Sequence, residues 1–194
     1  MQEHGVVPAL TTPRGDPPPD RPGRPALEAD GGAGEGPVGS RTRWALLAVV
    51  APVVVALDQL TKWWALQVLD DRTIDLVWTL RLRLIFNTGS AFGLGSRFAP
   101  LIALVAVVVI AFVLRAQRAL TGWPARFGAA LVVGGAVGNL LDRLFREGGG
   151  FLGGAVVDFV DLQWWPVFNV ADVCICTGAA LLALTAGRDT EPAA

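Results

Sequence analysis

From Trp44 onward the chain alternates between long apolar runs and short polar intervals. The stretch RTRWALLAVVAPVVVALDQLTKWWALQ carries no charge from Trp44 to Leu57, and Pro52 inside it is expected to bend a helix. Phe98 to Leu114 is uncharged throughout. At about 1.5 Å per residue, such a segment with its flanks crosses the ~30 Å hydrocarbon core of a bilayer. A third run, Phe127 to Leu141, has Asn139 as its one strongly polar residue, and a fourth extends from Val167 to Gly187. Four such helices would place both chain ends on the same side of a membrane.

Between the first two runs the period changes. In TIDLVWTLRLRLIF, the residues Ile74, Leu76, Trp78, Leu80, Leu82, Leu84 and Phe86 occupy every second position, the repeat of a strand. A strand with one apolar face beside a membrane belongs on the bilayer surface or on the helix ends, single or doubled into a hairpin. The expected fold class is therefore membrane all-α with small β: four transmembrane helices plus a small extracytoplasmic β-sheet or hairpin. Residues 1–40, rich in Pro, Gly and acidic residues, lack the apolar surface to offset their ordering entropy and read as a disordered cytoplasmic tail. The helical domain is expected over 41–188, followed by a short tail, 189–194.

Composition agrees with lipid as the solvent. Of the 194 residues 53% are hydrophobic and 17% charged, with mean hydropathy +0.50, whereas soluble domains carry about 25% charged residues. A net charge of −1 gives no electrostatic reason for a nucleic-acid partner. Positive charge is biased: Arg115, Arg118 and Arg126 lie between the second and third runs with no acid, and Arg41 and Arg43 precede the first. Against Arg72, Arg81, Arg83 and Arg97 on the other side, the bias is modest, and it places both termini in the cytoplasm.

Chemistry is narrowed by what is scarce. His4 is the single histidine and lies in the tail, so His-based triads and HExxH zinc sites are excluded. Cys174 and Cys176, two apart on a helix, point to different faces and suit neither a mutual disulfide nor a zinc site. No metal or cofactor is expected. Carboxylates, amides and cations remain, and they gather at one level. Asp58 and Lys62 fall near the outer end of the first run, and Asn139, Asp142 and Arg143 near that of the third. Asn169 and Asp172 open the fourth, Asn87 ends the strand region, and Asp158 lies in the last external loop. Polar groups at a bilayer boundary are functional by default. Each alone also has a plain structural use, Asn169 as a helix cap and Asp58–Lys62 as an i,i+4 ion pair. Gly134 and Gly138 form GxxxG, a close-packing face, and Gly89 suits a tight turn.

Two carboxylates close together cannot both ionise cheaply, so one keeps a proton while the other activates water. The candidates are Asp58, Asp142, Asp158 and Asp172, and spacing alone does not select the pair. Asp142, with Arg143 and Asn139 at hand, reads as an ionised structural partner, whereas Asp158 and Asp172 have no adjacent cation. Two other readings use the same residues. In one, Ser90 is a nucleophile with Lys62 as its base. In the other, the aspartates form a proton relay, although they sit at one boundary rather than across the membrane.

The segments DQLTK (58–62), NTGSAF (87–92), GNLLDR (138–143), VVDF (156–159) and FNVAD (168–172) resemble, in order and placement, the motif set of the lipoprotein signal peptidases, also called signal peptidase II. The resemblance covers residues 44–187 and implies four transmembrane helices with a small extracytoplasmic β-structure. It implies an aspartic endopeptidase of the cell membrane that cleaves diacylglyceryl-modified prolipoproteins just before the lipidated cysteine. By the same resemblance the catalytic aspartates are Asp158 and Asp172. Supporting or substrate-binding positions fall on Asp58, Lys62, Asn87, Gly89, Ala91, Phe92, Asn139, Asp142, Arg143 and Asn169. The implied partners are prolipoprotein substrates and membrane lipid, with no nucleic acid, and a monomer is favoured. Ser90 departs from the small apolar residue common at that place in the family.

Overall fold

The structure, a computed structural model, describes residues 37–89, 99–147 and 151–186, with side chains of the first helix described from Trp44. Most of the expected tail and the positions of Ser90, Ala91 and Phe92 lie outside the described residues. The elements run α1 (Pro37–Val68), β1 (Ile74–Val77), β2 (Leu80–Asn87), α2 (Ala99–Ala116), α3 (Gly122–Phe145), β3 (Val156–Asp161) and α4 (Val170–Ala186). The fold is mostly helical. Trp44–Val68, Ala99–Ala116 and Gly122–Phe145 are long and apolar enough to cross a membrane, and α4, at 17 residues, is shorter.

Helix ends depart from the uncharged runs for local reasons. α2 continues through Arg115, whose charge suits a helix C-terminus. α3 begins at Gly122, five residues before its apolar run, because Pro124 falls in the first turn, where a missing N–H costs nothing. It extends past Leu141 to Phe145 because Asp142 and Arg143 find partners. α4 starts at Val170 instead of Val167, since the backbone of Phe168 pairs with Val160 of β3. Pro52 lies within a continuous α1.

The alternating segment doubles into an antiparallel hairpin, β1 against β2, with Ile74 opposite Leu82 and Trp78 at φ 51 in its turn. The external loop expected around Asp158 is instead a third strand: β3 pairs antiparallel with β2, with Ile85 opposite Asp158 and Asn87 opposite Val156. Val156 to Phe159 are all buried, so this strand has no exposed face to produce alternation. The sheet is fixed to the end of α1 by a cluster of Ala65, Leu69 and Phe159 with Leu82 and Leu84.

α3 is the central helix. Two-thirds of its span is buried, against 17% for α1 and α2, whose apolar side chains face outward. Small residues make that position possible. A Cβ on Gly134 would stand 2.8 Å from Val54 Cβ, and one on Gly138 2.6 Å from Asp58 Oδ2, so the GxxxG face lies against α1. Gly135, outside that motif, faces α4, where a Cβ would come 2.5 Å from the Ala171 carbonyl oxygen. That contact sets the first turn of α4 against the polar end of α3. Gly135→Ala is expected to destabilise the protein by about 1–3 kcal/mol through overpacking, read as a lowered thermal unfolding midpoint in detergent.

Candidate active site

The polar residues of α1, α3, α4, β2 and β3 meet at one end of the bundle. At their base lies Lys62, wholly buried. Its ammonium donates to Asp58 Oδ2 at 2.8 Å, Asp142 Oδ2 at 2.9 Å and Asn139 Oδ1 at 2.9 Å. Three N–H bonds thus meet three acceptors. Burial of a charge is tolerable only when it is paired and hydrogen-bonded in this way. The three contacts of Lys62 are all taken up within this cluster, and Ser90, the nucleophile of the Ser90–Lys62 reading, lies outside the described residues.

Each acid paired with Lys62 also holds a backbone N–H. Asp58 Oδ1 accepts from Ala171 N at 3.0 Å, filling an otherwise open donor in the first turn of α4. Asp142 Oδ2 accepts from Val157 N at 3.1 Å, at the residue before Asp158. Asp142 lies within electrostatic reach of Arg143, as expected, but its ion pairs are with Lys62 and with Arg146, the latter donating from Nε at 2.8 Å to Oδ1. Arg143 points elsewhere, with Nη1 3.4 Å from the Gly154 carbonyl oxygen. Sequence reading passed over Arg146 although it stands four residues from Asp142 on one helix face, the spacing of an ion pair. It also passed over Gln59, whose Nε2 donates to Asp58, Asp142 and the Gly138 carbonyl at 3.1–3.3 Å.

Above this base, amides hold two carboxylates. Asp158 Oδ2 accepts from Asn87 Nδ2 at 2.9 Å and Oδ1 from Asn169 Nδ2 at 2.7 Å. Asp172 Oδ1 accepts from Asn139 Nδ2 at 2.8 Å and Oδ2 from the Asn169 backbone N–H at 3.2 Å. Asn169 Oδ1 in turn accepts from Asp172 N at 3.0 Å, so Asn169 and Asp172 form a reciprocal capping box on α4. Asn169 also donates to Asn139 Oδ1 at 3.1 Å. Gly89, at φ 91, turns the chain so that its N–H meets Asn87 Oδ1 at 2.9 Å.

Asp158 and Asp172 line one cavity of ≈ 340 Å³ together with Asn87, Gly89, Asn139 and Arg143. The rest of its wall is apolar and comes from the middle of the bundle, including Ile102 and Val109 of α2 and Ile175 of α4. Burial, the largest cause, and the charge of Asp172 push the Asp158 carboxyl up to about 6, against the lowering hydrogen bonds from Asn87 and Asn169 and the charge of Lys62. Sequence reading gave this pair no adjacent cation; the fold brings Arg143 into electrostatic reach of both and Lys62 into reach of Asp158. The site residues expected from sequence thus converge, apart from Ala91 and Phe92 outside the described residues. Asp58 and Asp142 belong to the Lys62 base, and neither is placed as a reacting group.

A bundle of apolar helices with these carboxylates in a cavity at one end defines a membrane protein. Residues 50–187 match the family model described as Signal peptidase (SPase) II, and the chain belongs to that peptidase family. It is 45% identical over 149 residues to the lipoprotein signal peptidase of Rhodococcus jostii (strain RHA1), covering 76% of this chain and 75% of the relative. With that of Mycolicibacterium smegmatis (strain ATCC 700084 / mc(2)155) it shares 38% over 190 residues, 89% and 80% of the two chains. The fold is similar to a bacterial membrane enzyme solved by the in meso method, with TM-score 0.63 and 24% identity over 74% of this chain and 94% of the other.

Removing one partner of a buried pair leaves the others uncompensated, at a cost of about 3–5 kcal/mol. Lys62→Met is expected to destabilise the protein by that order, and adding Asp58→Asn and Asp142→Asn to it to recover part of the loss. Thermal unfolding of the single and triple variants in detergent checks this.

Proposed function

We propose that this protein is a membrane aspartic endopeptidase that removes signal peptides from diacylglyceryl-modified prolipoproteins, cleaving before the lipidated cysteine. The observation that carries the reading is that Asp158 and Asp172 share one cavity and are bridged by a single residue, Asn169. Membership of the peptidase family supplies the reaction class, and the relatives' names supply the substrate.

In this mechanism the pair holds one proton. The polar cluster at this end of the bundle has four carboxylates, Asp58, Asp142, Asp158 and Asp172, and three cations, Lys62, Arg143 and Arg146. A single added proton makes it neutral. Asp158, with its raised affinity, holds that proton and donates a hydrogen bond to the scissile carbonyl oxygen. Asp172 takes a proton from water as the water oxygen bonds to the carbonyl carbon. Asp158 passes its proton to the carbonyl oxygen as the diol forms. Collapse of the tetrahedral diol breaks the C–N bond. Asp172 then gives the proton it took from water to the leaving nitrogen, the new amino terminus of the lipidated cysteine. Asp158 regains a proton from a diol hydroxyl, and the signal peptide leaves as a carboxylic acid that ionises in water. The asparagines hold the carboxylates in place, and the nearby charge of Arg143 favours negative charge as it develops in the cavity.

The topology follows from the same reading. All four helices span the membrane; α4 at 1.5 Å per residue reaches about 26 Å, close to the ~30 Å core. Both termini and the Arg-bearing α2–α3 turn are cytoplasmic, which puts the sheet and the carboxylates at the extracytoplasmic face. The apolar wall of the cavity then accepts the signal peptide and acyl chains from the bilayer.

The test is cleavage of a diacylglyceryl prolipoprotein peptide by the purified protein. Asp158→Asn and Asp172→Asn should each lower kcat at least about 10³-fold while substrate binding persists. Near-normal turnover in either variant would sink the assignment of the pair. A pH profile probes the proton. The one-proton form is lost as pH rises through the pKa of its protonated member, so kcat/KM should fall on the alkaline side with a midpoint near 6. The Asn87 hydrogen bond favours ionised Asp158, so Asn87→Ala raises that pKa and should move the alkaline limb to higher pH. A limb that stays in place would show that Asp158 does not set it.

A further inference from the structure

The mechanism uses one cavity, yet Asp158 and Asn87 also line a second. This space of ≈ 280 Å³ is bounded by Arg83, Ile85, Phe86 and Asn87 of β2, by Asp158, and by Pro166 and Val167 of the chain entering α4. It differs from the first in kind. The first is walled by the interior of the helix bundle, whereas the second is built from the sheet and the loop beside it. The two meet at Asp158.

Arg83 stands at the far end of the second cavity. Its Nη2 is 3.1 Å from Asp161 Oδ2, an oxygen that also accepts from Arg81 Nε at 2.8 Å. Asp161 is therefore shared between Arg81 and Arg83, and Asp75 of β1 stands opposite Arg81. The Arg83 side chain is 42% exposed, while its Nε is buried without a hydrogen-bond partner. A guanidinium so held, partly exposed on a cavity wall and with one nitrogen unpartnered, is placed to meet an acceptor that arrives from outside. Its planar fork of donors suits a carboxylate.

Resting on the peptidase reading, we infer that this second cavity is the subsite for the first residues of the mature lipoprotein chain, with Arg83 selecting an acidic side chain. The direction follows from chemistry. The signal peptide and the acyl chains are apolar and occupy the bundle-walled cavity, so the segment beyond the cysteine leaves by the sheet. Its length follows from geometry. Arg83 lies four strand residues from Asn87, about 13 Å at strand rise. An extended peptide covers that distance in about four residues. The acidic residue met by Arg83 is therefore about three to four positions after the cysteine.

The test compares diacylglyceryl prolipoprotein peptides that differ only at the fourth position after the cysteine, carrying Glu, Gln or Lys. The wild-type protein should rank them Glu over Gln over Lys in kcat/KM, with about a three- to tenfold step from Gln to Glu that shrinks at high salt. Arg83→Gln should abolish the Glu-over-Gln step, and Arg83→Glu should reverse the order of Glu and Lys. Equal rates for all three peptides with the wild-type protein overturn the subsite while leaving the peptidase reading intact. A Glu preference that survives in Arg83→Gln overturns the role of Arg83. Failure to cleave any of the three removes the peptidase reading, and the subsite with it.

Discussion

The arrangement of the site depends on one buried ammonium. Lys62 is wholly inaccessible and meets three acceptors within 2.9 Å. A charge at that depth is costly unless every donor is used, so its partners are fixed in position as firmly as the lysine. What gives this constraint its reach is where each partner goes next. Asp58 holds the N–H of Ala171 on α4, and Asp142 that of Val157 on β3. Each is the residue immediately before one of the paired aspartates in the cavity. A cation on α1 thereby sets the positions of two carboxylates on two other elements, while itself standing behind them.

The third acceptor carries a different kind of information. An asparagine amide can present either its oxygen or its nitrogen, and the two are nearly alike in shape. Lys62 has only donors, so the oxygen of Asn139 must face it and the nitrogen must face Asp172. The same logic operates twice more. Gly89 N–H fixes the oxygen of Asn87, which turns its nitrogen to Asp158. Asp172 N–H fixes the oxygen of Asn169, which turns its nitrogen to Asp158. All four oxygens of the two carboxylates thus receive neutral N–H donors. Neutral donors orient a carboxylate without the full charge compensation of an ion pair.

How much of this was legible in the sequence depended on whether a residue's signal was local. The four helices and the β1–β2 hairpin were readable because period and run length are local properties of the chain. The gathering of Asp58, Lys62, Asn139, Asp142, Asn169 and Asp172 at one level was readable from their distance to helix ends. β3 was not, because a strand buried from Val156 to Phe159 has no polar face to alternate with its apolar one. The direct partners of Asp142 were read only in part: Arg143 is within reach of its charge but hydrogen-bonds to Gly154, while Arg146 and the distant Lys62 make the ion pairs. Nor could spacing reveal that the two Lys62-paired acids act through backbone N–H groups. Any residue type supplies such a group, so it leaves no mark on composition.

The plain reading of Asn169 and Asp172, a helix cap, and the functional one describe the same bonds. α4 begins at the polar end of the bundle, and its open N–H groups have to be satisfied there. Asp58 satisfies that of Ala171, and Asn169 those of Asp172 and Val173. The groups that end the helix are therefore the groups that orient the carboxylate, and the second nitrogen function of Asn169 reaches across to Asp158. The position of the helix start is consequently part of the geometry that holds Asp158 and Asp172 together. If α4 began at Val167, as its apolar run suggests, Asn169 would lie within the first turn and no longer precede the helix, and the Asp172 N–H would be bonded to the Phe168 carbonyl. That carbonyl instead accepts from Phe159 and Val160, and this strand-like pairing delays the helix until Val170. The sheet, by taking those hydrogen bonds, decides where the helix starts, and so which face Asp172 presents to Asp158.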